Sequence, residues 1–201
     1  DQSTVTGSDK VQGSTTKNYF GYGTGLRYLF FDPLAVKVSY EHSVRLPIAR
    51  ELLGNGTTIY ANVALEPEKS NNVNLALFGT WHPAGRHTVY YEANGFLRHV
   101  DNYIQTSVIE KEGMMQFVND PAVHIKGVEG EIRYDWDGRL QLMANVSYQD
   151  ARDQQKYKED GKPSATYDNH VPNRPWLFGS AEASYTFRNF LQQDNKLRLG
   201  Y

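Results

Sequence analysis

From residue 139 to 150 apolar and polar side chains alternate: Leu140, Leu142, Ala144, Val146 and Tyr148 fall on one face, and Arg139, Gln141, Asn145, Ser147 and Gln149 on the other, with Met143 the apolar exception. A strand of period two has one face in an apolar medium and one in a polar medium. The preceding segment repeats the pattern, with Val128, Ile132, Tyr134 and Trp136 set against Glu129, Glu131, Arg133 and Asp135. Asp137-Gly138 between the two is a two-residue hairpin signal. Along the whole chain the pattern predicts strands at 19–31, 34–44, 70–81, 87–109, 114–136, 139–150 and 176–188, with a stub from 196. The expected fold is all-β, an antiparallel up-and-down meander of about eight strands.

The connections alternate in length. Short turns fall at Asp32-Pro33, at 82–86, at Asp137-Gly138 and at 189–195; long polar connections run through 45–69 and 151–175, and a tip at Glu110 to Gly113 departs from the rule. Sorting of this kind is characteristic of outer-membrane barrels, which have tight turns at one end and long loops at the other. Phe30, Trp81, Trp136 and Phe187 each precede a short turn on the apolar face of their strands, and Tyr22, Tyr40 and Tyr148 form a second level near the long loops. Amphipathic rings at a shared height are what a membrane-water interface selects. The meander is therefore expected to be part of a larger transmembrane β-barrel. In its two longest strands Ile125 falls out of phase with Val128, Ile132 and Tyr134 across Gly127, which predicts a bulge there, with the upper halves projecting beyond the membrane.

Composition changes this picture little. A mean hydropathy of -0.62 and the lack of a long apolar run exclude a transmembrane helix but not a barrel, whose strands hide their apolarity by alternation. A net charge of -2 gives no basic footprint for nucleic acid, and the absence of cysteine removes disulfides and thiolate metal sites. Residues 1–18 form a polar Ser, Thr, Gly and Gln stretch that reads as loop or disorder, ahead of a barrel segment over 19–201. The strand beginning at Lys196 looks cut short, so the chain is expected to be a piece of a longer barrel, incomplete at its C-terminal end.

The run from Ser43 through Arg45, Pro47 and Leu53 to Gly56, followed by Ala64 to Asn72, resembles a stretch of the barrel of TonB-dependent outer-membrane receptors. Gly127-Val128-Glu129-Gly130-Glu131 looks like that family's "G-V-E-x-E" strand, with Val100 to Ile104 as its partner. The similarity spans roughly residues 19 to 201. It implies a receptor in the outer membrane of a Gram-negative bacterium, importing a scarce ligand such as a ferric siderophore or similar chelate, a glycan, haem or cobalamin. It also implies an inner-membrane energy-coupling partner reached through a plug, of which no recognisable segment or coupling box occurs in this chain. The family's haem receptors carry a loop histidine between related motifs, and none lies between Arg45 and Leu65.

The loop at 45–69 has a shape of its own: Leu46-Pro47 ends a strand, 48–53 supports one or two helical turns, and Gly54-Asn55-Gly56 reverses the chain. Ligand contact is expected from loop aromatics and arginine, namely Tyr60, Tyr157, Tyr167 and Arg174. Partners are expected to be outer-membrane lipid and a small ligand at the extracellular loops. Glu129 and Glu131 read as lumen wall and not as a catalytic pair; no catalysis, cofactor or metal site is expected, and His82 and His87 lack a third ligand. The rival architectures are a self-contained eight-stranded barrel and a soluble β-sandwich binding module.

Overall fold

The computed structural model describes residues 18–83, 85–109, 113–157 and 161–201. The expectations that fall on 1–17, on the tip at 110–112 and on Lys158, Glu159 and Asp160 lie outside the described residues. The described chain is almost wholly β: β1 (Tyr22–Phe31), β2 (Leu34–Arg45), β3 (Ile59–Tyr60), β4 (Glu68–Trp81), β5 (His87–Ile109), β6 (Met114–Trp136), β7 (Leu140–Asp153), β8 (Leu177–Arg188) and β9 (Lys196–Gly200), with one short helix, α1 (Ala49–Leu53). Eight strands pair antiparallel in the order β1-β2-β4-β5-β6-β7-β8-β9, and β3 pairs with β6. The meander is as the alternation predicts.

One continuous sheet holds all nine strands, so the sandwich reading, which needs two facing sheets, is overturned. The end strands β1 and β9 do not pair, so the sheet is also not a closed eight-stranded barrel but is open, as part of a larger barrel would be. Between β6 and β7, Asp137 (φ 53°) and Gly138 (φ 62°) both take the positive φ of a type I′ turn, which matches the twist of the two strands.

The outward face carries Val38, Leu75, Leu77, Val128, Ile132, Leu142 and Val146, all exposed. Exposure of this many large apolar side chains on one face fits contact with lipid. The inward face carries polar pairs: Glu131 with Arg133, whose guanidinium also lies 5.2 Å above the Tyr90 ring, and Asn145 donating to Ser180 at 2.8 Å. At the short-turn end, Tyr28 packs edge-on to Phe30, His87 stacks on Trp136 at 6.3 Å and Tyr185 meets Phe187 at 4.7 Å. At the long-loop end, Tyr22 stacks on His42 at 5.3 Å and Tyr148 meets Trp176 edge-on at 6.3 Å. From Leu140, paired with Trp136, to Tyr148 is about eight steps of ~3.3 Å, which at a tilt of about 40° rise roughly 20 Å, close to the apolar band of an outer-membrane barrel.

The expected bulge at Gly127 is not there. β6 pairs without a slip through Gly127 on both sides, with Phe96 opposite it in β5 and Gln149 opposite it in β7. Gly127 is small for another reason: a Cβ there would lie 2.4 Å from the Phe96 ring and 2.4 Å from the Tyr148 carbonyl oxygen. The pairing of β5 with β6 is interrupted at Asn102 and Pro121 instead, where Asn102 adopts φ 56° and proline has no N–H to donate. Ile125 is out of phase because the apolar face changes sides. Val123 is wholly buried and Ile125 is 3% exposed on the inward face, packed with Val100, Tyr103, Ala151 and Val171. On the outward face at the same height the side chains turn polar: His99 lies 3.1 Å from Asp101 and 4.5 Å, ring to ring, from His124, and Asp150 takes Lys126, Arg152 and His170.

Candidate functional site

The two long connections are built onto the raised part of the sheet. In the first, Pro47 ends β2, α1 makes the expected helical turn, and Gly54 at φ 68° reverses the chain. The Asn55 side chain accepts from the backbone N–H groups of Thr57, Thr58 and Ile59 at 2.8–3.1 Å, which fixes the turn. β3 then runs parallel to Met115–Gln116 of β6, and Asn62 donates to the Phe117 carbonyl at 2.8 Å. This loop is therefore laid along an extended strand that supplies hydrogen bonds to it.

Arg45 ties the base of the loop. Its guanidinium grips Glu68 through two bonds of 2.6 and 2.8 Å and reaches both oxygens of the buried Glu51 at 3.0 Å. Glu51 also accepts from the Ile48 N–H at 2.9 Å, and Glu68 from the Ile104 N–H at 2.7 Å. Glu68, and then Glu51, hold the guanidinium above its already high ordinary range, so it stays charged. The motif that carried the family resemblance thus works as an ionic clasp between β2, α1, β4 and β5.

The second loop folds back on β7. Val171 donates its N–H to the Ala151 carbonyl at 2.9 Å and caps the inward apolar cluster, and Asp153 donates to the Asn169 carbonyl at 3.0 Å. Arg174 then points inward, its Nε donating to the Tyr103 hydroxyl at 2.6 Å and its guanidinium lying 5.2 Å from the Tyr103 ring. Burial pushes the Tyr103 phenol up against the opposing pull of Arg174, so it is a neutral hydroxyl. Nearby, burial and then the Asp153 carboxylate push Asp120 up to about 6.

Between the loops and the inner sheet face lies a cleft of about 310 Å³, whose polar lining includes Arg45, Glu68, Asn72, Arg98, Tyr103 and Arg174. Of the four residues predicted from sequence, only Arg174 lines it. Tyr167 lies in the outer part of the second loop with Lys156 5.6 Å from its ring, Tyr157 is bridged to Pro163 and 65% exposed, and Tyr60 sits on β3 beside β6. The structure does not bring the three tyrosines to the cleft. Sequence reasoning missed Asn72, Arg98 and Tyr103. Alternation already puts Asn72 and Arg98 on the inward face, but Tyr103 joins that face only because of the irregular step at Asn102.

The other candidate chemistry is accounted for by pairing. Glu131 is held by Arg133, and Glu129 accepts from Asn94 and Ser147 at 3.4 Å. His82 faces Thr88 at 3.2 Å and His87 faces Tyr134 at 2.7 Å, so the two do not converge. Among the described residues no group of three His, Asp or Glu side chains is arranged to hold a metal ion.

A family model described as "TonB dependent receptor-like, beta-barrel" matches residues 1–201. No curated protein matches the chain at a significant level. Among solved structures 50 chains match. One is "Copper transporter OprC", 18% identical with a TM-score of 0.60 over 83% of this chain and 24% of that one. Another is the FrpB iron transporter from Neisseria meningitidis (F3-3 variant), 16% identical with a TM-score of 0.51 over 90% of this chain and 25% of that one. At these identities the likeness shows the fold, and this chain spans about a quarter of the length of either transporter.

Proposed function

The chain belongs to the TonB-dependent receptor-like β-barrel family, and from that premise we propose that it forms barrel wall and two extracellular loops of an active importer in a Gram-negative outer membrane. The observation that carries this reading is the exchange of apolar and polar faces along β5, β6 and β7. Below it the apolar side chains face outward as lipid requires; above it they face inward and anchor shaped loops over a polar lumen. A wall that only spanned a membrane would have no need of a second, internal core. The ligand is read as a metal or metal chelate, since two of the similar structures are named as a copper and an iron transporter. Ligand recognition belongs to the extracellular loops, and energy for import comes from an inner-membrane coupling complex.

The test is growth and uptake. A host in which the full-length receptor gene is deleted should lose growth on one limiting iron, copper or chelate source and regain it on complementation, and collapse of the proton-motive force should stop the uptake. Growth equal to wild type on every such source would overturn the reading. Topology is checked separately: a tag inserted at Gly161 should be labelled on intact cells, and one at Gly138 only after permeabilisation.

A further inference from the structure

At the short-turn end of the sheet, three guanidiniums from three strand ends converge on Asp137. Arg86 and Arg139 lie at 3.3 Å and Arg188 at 3.2 Å, all on its Oδ2 atom. A guanidinium matched to a carboxylate of its own sits at about 2.7–2.9 Å, so this one oxygen is shared too widely to satisfy any of the three. One negative charge also cannot neutralise three cations.

The neighbouring acid does not relieve the surplus. Asp135 accepts from the Gly138 N–H at 2.9 Å and the Gln141 amide at 3.0 Å, and through Gln141 it is joined to a further arginine, Arg198, at 2.8 Å. Four arginines therefore stand against two aspartates. Lys196 offsets Asp194 in the β8–β9 turn, and Asp32 lies in the β1–β2 turn on the far side of β4. The cations are also within reach of a ligand: the Arg86 side chain is 70% exposed, and those of Arg139 and Arg188 are 40% exposed.

Depth is a second, independent observation. Asp137 follows Trp136 and Arg188 follows Phe187, and both rings are exposed at the level where aromatic side chains meet headgroups. Asp137 donates its N–H to the Arg86 carbonyl at 2.8 Å, which fixes Arg86 at the same height. Arg188 leans over the turn itself: it donates to the Asp137 carbonyl, and its guanidinium is 3.4 Å from where a Cβ on Gly138 would lie. The cluster therefore sits at the end of the sheet, just beyond the aromatic level, at the height of lipid phosphates.

We propose that Arg86, Arg139 and Arg188 bind the phosphate of an anionic phospholipid in the leaflet at the short-turn end, gathered for it by Asp137. Phosphate oxygens point in several directions and accept paired N–H groups, so one phosphate bridges guanidiniums that a single carboxylate cannot satisfy. The site holds the wall at a fixed depth, and it rests on the barrel's place in a membrane, not on what the receptor imports.

The test is native mass spectrometry of the full-length receptor, released from micelles that hold equal amounts of phosphatidylglycerol and phosphatidylcholine. The choline of the second lipid cancels the charge of its phosphate, so phosphatidylglycerol should be retained in clear excess. Arg86→Gln, Arg139→Gln and Arg188→Gln should each lower that excess about fivefold, the effect of one basic residue at an anionic surface. Arg50→Gln, at an exposed arginine of the first long loop, should leave it unchanged. Equal retention of the two lipids, wild-type excess in all three variants, or an equal fall in Arg50→Gln would overturn the site. Displacement of the lipid by excess inorganic phosphate would assign the arginines to free phosphate and overturn the lipid source. The comparison of the two lipids in the unaltered receptor decides the question even where a variant does not fold.

Discussion

Two halves of the same three strands obey opposite rules. Below the ladder row Phe96–Gly127–Gln149, β5, β6 and β7 turn Ile132, Leu142 and Val146 outward and Glu129, Arg133 and Asn145 inward. Above it, Val100, Val123, Ile125 and Ala151 turn inward into a packed cluster, and His99, His124, Lys126 and Asp150 turn outward. Backbone pairing is continuous across the row, so the strand itself did not change. The surroundings did, from lipid outside and water inside to water outside and loops inside. The lower half is held by a solvent and the upper half by its own side chains, and the same kind of substitution should therefore fail in different ways in the two.

The largest effect expected is at the internal cluster. Ile125→Ala should cost ~2–5 kcal/mol in the raised part of the sheet, and hydrogen exchange in the full-length receptor should show the loss confined to the two loops and the upper strands. Loss of protection spread evenly to the lower strands would break the division into halves.

Next is Ile132→Arg, with a charge placed on the lipid face near the bilayer midplane, expected to cost ~2–4 kcal/mol in a folding titration into vesicles, whereas the inward Asn145→Arg costs little. Equal sensitivity at the two positions would invert the face assignment.

Gly127→Ala sits on the boundary. The added Cβ meets the Phe96 ring and a backbone oxygen, so the change should destabilise by ~1–3 kcal/mol. Truncating the ring as well, Gly127→Ala with Phe96→Ala, should recover part of the crowding but not the backbone contact; full recovery would mean that the ring alone fixes the glycine.

A smaller effect is expected from pH. Asp120 is pushed up to about 6 by burial and by Asp153, above its ordinary value of 3.8. Between these values the folded form holds a proton that the unfolded chain releases, so this group makes the upper half more stable as pH falls from 7 towards 4. Asp120→Asn should flatten that dependence in the upper half, and an unchanged slope in exchange measurements would refute it. The smallest effect is at His124→Ser, on the outward polar collar, which should change stability by no more than ~0.5 kcal/mol.

Much of this was legible in the chain. The strands, their antiparallel order and the two aromatic levels followed from alternation and turn residues, because a period of two and a two-residue turn are local properties. The shape of the first loop was legible too, through Pro47 and Gly54. The candidate site was less so. Tyr60, Tyr157 and Tyr167 were singled out as loop aromatics, yet loop position alone does not say which way a side chain points, and only Arg174 reaches the cleft. β3 was missed because two residues carry no periodic signal and pair only where β6 extends to meet them.

By itself the sequence determined the period, and hence a sheet with two unlike faces. It did not determine which face is apolar at each height, because a slip in the chain and an exchange of environments leave the same mark on a period-two pattern. Ile125 shows this: its phase shift fits a bulge at Gly127 equally well until the unbroken pairing of β6 with both neighbours is seen. Only the tertiary structure decided that, and with it the cleft. The grip of Arg45 on Glu68, and the meeting of Asn72, Arg98 and Arg174, join residues far apart in the chain, and contacts of that kind exist only once the strands that carry them have paired.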